Sequence, residues 1–177
     1  MTDDIIEEEL QIAGEQDGEK VKVLSPKTFE MPISELNPPS PVMVERGTPI
    51  GETIILMQKN SFGSVLVTDE GELCGIVTER DILMKVAGLG IELAREPVDE
   101  FMTEDPLALM SGDEITYVMK NMHVGGYRHV PIVDENRRPV GIISIKDVMS
   151  FILDQFPEEV TNVLGEPYRG QSFRESA

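Results

Sequence analysis

Two short stretches carry residue types that can do chemistry. One is Gly75-Ile76-Val77-Thr78-Glu79-Arg80-Asp81, the other Gly141-Ile142-Ile143-Ser144-Ile145-Lys146-Asp147. In each, a hydroxyl residue stands three positions before an aspartate. A carboxylate can accept hydrogen bonds from both neighbouring hydroxyls of a ribose, as acidic residues do in dinucleotide-binding folds. Thr78 and Ser144 are placed as helix N-caps, where free N–H groups and the helix dipole favour phosphate. One helix start then offers an acceptor for sugar and donors for phosphate. The same spacing is close to a capping box, in which the aspartate only returns a bond to the backbone N–H of the cap. The motif alone leaves both readings open.

Arg128-His129, directly before the apolar run Val130-Pro131-Ile132-Val133, is a further candidate. Arginine suits phosphate through its fixed fork of donors. The plain alternative is a solvated pair balancing nearby acids. Arg80 and Lys146 hold matched positions inside the two stretches. They either touch phosphate or pair with the acidic surface. His123, near the end of a helix, is expected to be exposed. Cys74 is expected to be a small core residue rather than a reactive thiol. No nucleophile is paired with a base, and no metal-ligand cluster or Gly-rich Lys loop occurs. An enzyme is therefore not expected.

The elements that must position these residues repeat along the chain. Ile33-Ser34-Glu35-Leu36 matches Val98-Asp99-Glu100-Phe101, and Pro41 matches Pro106, a shift of 65 (106 − 41). The same shift takes Ile50 to Ile115, Met57 to Met122, Phe62 to Tyr127 and Asp69 to Asp134. It becomes 66 between Asp69 and Gly75, because the polar hairpin is one residue longer in the second copy, where turns tolerate insertion. Val42-Met43-Val44 and Leu107-Ala108-Leu109 read as short extended runs after a proline. Thr48-Pro49 reads as a helix start with proline in the first position. Ile50, Thr53, Ile54 and Met57 mark one helix face, as do Ile115, Val118, Met119 and Met122. Two strands joined by the hairpin and a closing helix follow. The order is strand, helix, strand, strand, helix, twice, a mixed α and β fold. Expected boundaries are an acidic arm over 1–30, repeats over 31–90 and 91–156, and a tail over 157–177. Within the arm, Val21 to Leu24 reads as a short strand, and Phe156, Val160, Val163 and Leu164 could dock the tail on the body.

The chain has 177 residues, 40% hydrophobic and 27% charged, with a formal net charge of −18. Such a charge argues against a general nucleic-acid surface or an acidic membrane surface. Any phosphate must be held by locally placed donors against the field of the whole molecule. The single cysteine excludes an intramolecular disulfide. No stretch approaches the roughly 18 to 20 apolar residues of a membrane span. The acidic start lacks the basic end of a signal peptide, so a cytoplasmic protein is expected.

The duplicated unit with its Gly-apolar-apolar-Thr/Ser-x-x-Asp signature resembles the CBS domain, named after cystathionine β-synthase. The resemblance covers Ile33 to about Phe156. It implies a tandem pair packed with pseudo-twofold symmetry that regulates rather than catalyses. It implies adenosine-containing ligands in the clefts between repeats: AMP, ADP or ATP, with S-adenosylmethionine or a cyclic dinucleotide also possible. No cofactor is required, and a homodimer and an unidentified protein effector are implied as partners. Among adenylate-sensing members the position of Arg128 and His129 contacts phosphate, and the signature aspartate of one repeat works with basic residues of the other. Thr78 and Asp81 are then expected to share a cleft with Arg128 and His129, and Ser144 and Asp147 to face the uncharged Gly63 and Ser64. The Asp81 cleft is thus expected to bind more tightly. Val42, Met43, Val44, Leu107, Ala108 and Leu109 are plausible walls for an adenine ring. The alternative function is a ligand-free interaction and dimerisation module.

Overall fold

The computed structural model describes residues 26–156. The strand expected over Val21 to Leu24, and the docking expected of Val160, Val163 and Leu164, lie outside them. The first repeat runs β1 (Met43–Glu45), α1 (Ile50–Asn60), β2 (Ser64–Asp69), β3 (Glu72–Thr78) and α2 (Glu79–Asp81). The second runs β4 (Thr103–Glu104), β5 (Leu109–Met110), α3 (Ile115–Gly125), β6 (His129–Val133), β7 (Pro139–Ser144) and α4 (Ile145–Leu153). The mixed α and β fold holds two sheets, ordered β1-β2-β3-β4 and β5-β6-β7. In each, a parallel pair (β1 with β2, β5 with β6) is joined to an antiparallel hairpin.

The two hairpins explain the change in shift. The first turns through Glu70 and Gly71, both at positive φ (52° and 85°), a two-residue connection whose twist matches the strands. The second holds one residue more. Asp134 stabilises it by accepting from the N–H groups of Asn136 and Arg138, each at 2.9 Å, and Arg137 takes the left-handed conformation at φ 57°. An Asx-type bond of this kind replaces the glycine that the shorter turn needs.

Helix starts follow the expected pattern with one difference. Pro49 is the N-cap of α1 and not its first residue, with ψ 135°. The first helical N–H, that of Ile50, is given to Glu96 O at 2.8 Å, and that of Ile115 at the start of α3 goes to Met31 O at 2.9 Å. Donors that a helix leaves orphaned are thus satisfied from the other repeat's opening segment. The expected helix faces are buried at Ile50, Thr53 and Met57, and at Ile115, Val118 and Met122.

These bonds belong to a reciprocal exchange. Val98 N–H donates to Thr48 O, and Ile33 N–H donates to Asp113 O, both at 2.8 Å. β4 pairs with β3 through Gly75 and Glu104, and Ile142 N–H on β7 donates to Pro39 O at 3.1 Å. The opening segment of each repeat is therefore built onto the sheet of the other. Its apolar residues follow it: Val98, Phe101 and Met102 are buried with Ile50, Val65, Val67 and Val77. The opposite face of the first sheet, with Leu66, Leu73 and Ile76, packs against Val133 and Ile142 of the second. Even Pro26–Glu30, inside the segment read as an arm, forms a 3-10 turn whose Phe29 carbonyl accepts from Thr116 Oγ1 at 2.8 Å.

The signature glycines serve this exchange. A Cβ on Gly75 would lie 2.2 Å from Met102 Sδ, and one on Gly141 would lie 2.7 Å from Pro38 Cβ. Only a residue without a side chain lets the donated segment cross the strand at that distance. No helix among the described residues is long and apolar enough to cross a membrane.

Candidate functional site: two clefts between the repeats

The strand ends and helix starts of the two repeats border two clefts. The first, of about 440 Å³, is lined by Thr78, Arg80 and Asp81 from one repeat and by Leu107, Tyr127, Arg128 and His129 from the other. The second, of about 420 Å³, is lined by Ser144, Lys146 and Asp147, and by Val42, Phe62, Gly63, Ser64 and Glu79 from the other repeat. Arg128 and His129 border both. The expected partnership of Asp81 with Arg128 and His129 is therefore present. Ser144 and Asp147 do face the uncharged Gly63 and Ser64, but Arg128 and His129 were expected in the first cleft alone and border this one too, beside Lys146. The reason is that His129 pairs with Ser144 across the β6–β7 hairpin, so the basic pair of one repeat sits next to that repeat's own signature as well.

The matched positions of Arg80 and Lys146 place one cation in each cleft. Of the apolar walls expected, Val42 and Leu107 line the clefts. Met43, Val44, Ala108 and Leu109 line neither. Val44 packs into the first core and Ala108 against the cluster joining the sheets. Met43 is turned to the opposite face from Val42 and Val44 by strand alternation and is 46% exposed. Leu109 is taken up by β5, in register with Ile132. Tyr127 and Phe62 were missed as site residues. They occupy equivalent places, one in each cleft, and offer ring faces on which a base can stack. Their match at a shift of 65 was the available signal.

Both aspartates make the bonds of the capping reading. Asp81 Oδ2 accepts from the Thr78 N–H at 3.0 Å and from Thr78 Oγ1 at 2.6 Å, and the Asp81 N–H returns a bond to Thr78 Oγ1 at 3.3 Å. Asp147 Oδ2 accepts from the Ser144 N–H at 2.7 Å and from Ser144 Oγ at 2.6 Å. Capping thus uses one oxygen of each carboxylate and does not exclude a ligand at the other. The other oxygens differ. Lys85 Nζ lies 2.9 Å from Asp81 Oδ1. Burial alone would raise the Asp81 pKa; the bonds from Thr78 and Lys85 outweigh it and hold the carboxyl below its ordinary value.

His129 is half-buried. Burial, and then the adjacent Arg128 charge, push its pKa below the ordinary value, while Glu79 and Asp147 pull the other way. Glu79 and His129 approach the same spot: a Cβ on Gly63 would meet the imidazole at 3.2 Å and the Glu79 carboxyl carbon at 3.7 Å. Gly63 therefore leaves the floor of the second cleft open. No cluster of metal-ligating side chains occurs among the described residues. Cys74 is partly buried, and burial raises its thiol pKa, as expected of a packing residue.

The model of the CBS domain family matches residues 33–88 and 98–154. A 17.7 kDa protein of Acidianus ambivalens is 30% identical over 75% of this chain and 82% of its own length. The next curated relatives are longer, and the chain spans between 20% and 42% of them. Among solved structures, a CBS-domain containing protein of Agrobacterium tumefaciens is 34% identical, covering 67% of this chain and 94% of its own, with a TM-score of 0.59. A CBS domain protein of Pyrobaculum aerophilum, solved in complex with AMP, is 27% identical over 71% of this chain and 98% of its own, with a TM-score of 0.63. The two matched stretches coincide with the two repeats whose openings are exchanged: the chain belongs to the CBS domain family and is a tandem pair of CBS domains.

Proposed function

We propose that the protein is a regulatory sensor that binds an adenosine-containing ligand, of the AMP, ADP or ATP type, in the clefts between its repeats and passes that state to a protein partner. One observation carries the reading. Each cleft brings a signature carboxylate together with an arginine and a histidine, within about 420 to 440 Å³, in a chain whose net charge is −18. Four basic and imidazole groups, Arg80, Arg128, His129 and Lys146, gather there against that field, which supports an anionic ligand. The AMP complex of the Pyrobaculum aerophilum relative points to the same ligand class. The reading has no catalytic step; binding stabilises one arrangement of the repeats, which a partner reads.

A second reading, a ligand-free interaction module, is favoured by exposed apolar side chains on the helices. Leu83, Met84 and Val124 are 68%, 67% and 76% exposed. We propose that these helix faces meet those of a second copy in a homodimer, which is compatible with ligand binding. Mass spectrometry of small molecules retained by the purified protein separates the two readings. An adenine nucleotide in stoichiometric amount supports the sensor. A protein that carries none, and whose melting temperature no adenine nucleotide raises, supports the interaction module.

A further inference from the structure

The two carboxylates are not equally available. We infer that Lys85 silences the sugar-reading carboxylate of the first cleft, so that the second cleft, at Asp147, is the principal nucleoside site. The inference rests on the proposed ligand class and names which cleft uses it.

A carboxylate has about four sites at which to accept a hydrogen bond, and a ribose diol needs two of them on the open side. Asp81 has three occupied. Oδ2 takes two bonds from Thr78, and Oδ1 takes the Lys85 ammonium at 2.9 Å. Lys85 makes further bonds from this position. Its Nζ also donates to Phe101 O at 2.6 Å and to Met102 O at 3.3 Å, on the segment that the second repeat donates to the first sheet. All three ammonium donors are engaged. Lys85 does not itself line the cleft, so it takes an oxygen away without giving a phosphate a cation.

At the equivalent place in the second repeat stands Phe151, which has no charge. Asp147 Oδ2 takes the two bonds from Ser144, and its Oδ1 has no donor among the described residues. A whole oxygen is thus left for the diol. Lys146, Arg128 and His129 border this cleft as Arg80, Arg128 and His129 border the first, and Glu79 adds a second acid here, so the preference rests on the open Asp147 oxygen and not on the cations. Ser144 is followed by the nine residues of α4, whereas α2 is three residues long and passes into the π-helical turn Ile82–Val86.

Calorimetric titration of AMP into the full chain tests this with the parent, Asp81→Ala, Asp147→Ala and Lys85→Met. The expected result is one strong binding event per chain. Asp147→Ala weakens it roughly ten- to hundred-fold, the effect of a lost charge-assisted bond, and at least ten times more than Asp81→Ala does. Lys85→Met frees Asp81 and adds a second event, which the double variant Lys85→Met/Asp81→Ala removes. Where Lys85→Met does not fold, comparing the two aspartate variants decides alone. Strong binding that survives Asp147→Ala and is lost in Asp81→Ala overturns the inference and leaves the sensor reading intact. Two equal events in the parent also overturn it. No binding in any protein overturns both.

Discussion

Gly141 and Pro38 cross so closely that a Cβ on the glycine would lie 2.7 Å from the proline Cβ. Pro38 belongs to the opening of the first repeat, Gly141 to the signature of the second. Their contact is where the exchanged segment meets the strand that leads into the second cleft. Gly141 is buried, and a proline ring cannot rotate aside. Gly141→Ala should therefore destabilise the fold by about 1–3 kcal/mol, the usual effect of overpacking. Urea unfolding checks it: the midpoint should fall with the slope unchanged. An unchanged midpoint would mean that the exchanged segment is free to move away.

Much of this was legible in the sequence. The shift of 65 placed Ile50 on Ile115 and Phe62 on Tyr127, and the hairpin insertion was read at the correct turn. The exchange was not, because the bonds from Val98 to Thr48 and from Ile33 to Asp113 are between backbone groups and leave no residue pattern. For the same reason Pro49 was read one position too far into its helix: the first helical N–H is satisfied by Glu96, across the exchange. The hold of Lys85 on Asp81 was legible and missed. A lysine four residues after an aspartate on a helix is a recognisable pair. The unequal roles of Val42 and Met43 were not legible, since which side of a three-residue strand faces a cleft depends on the neighbouring sheet.

Acid should weaken the fold at two defined places. Asp81 is held below its ordinary pKa by the bonds described above. At Asp99 burial also opposes ionisation, and the Gly47 N–H at 2.7 Å and the Arg46 guanidinium overcome it. A folded pKa below the unfolded one means stability that is present above the unfolded value, about 3.9, and lost as pH falls through the folded one. The melting temperature should be level from about pH 7 to 5 and fall below about pH 4. Asp81→Asn and Asp99→Asn should each make that fall shallower. A parent curve that does not decline in acid would contradict the assigned bonds.

His129 reports on the charges of both clefts. Its imidazole should titrate, by NMR, below the ordinary value of about 6.5. Arg128→Ala removes a like charge, which favours the protonated ring, so the midpoint should rise. Asp147→Asn removes an opposite charge and should lower it. Shifts of the opposite sign would mean that His129 faces neither group.

Arg128 borders both clefts and should act on phosphate rather than on nucleoside. Arg128→Ala should weaken AMP by roughly tenfold or more, and should weaken adenosine much less. Equal losses for the two ligands would place the arginine outside the phosphate position.

The most direct measurement is calorimetric titration of AMP into the parent chain and into the double variant Asp81→Ala/Asp147→Ala, with circular dichroism to show that both are folded. The account predicts saturable binding by the parent and loss of that binding, by about two orders of magnitude or more, when neither cleft retains its carboxylate. A folded double variant that binds AMP as tightly as the parent would contradict it.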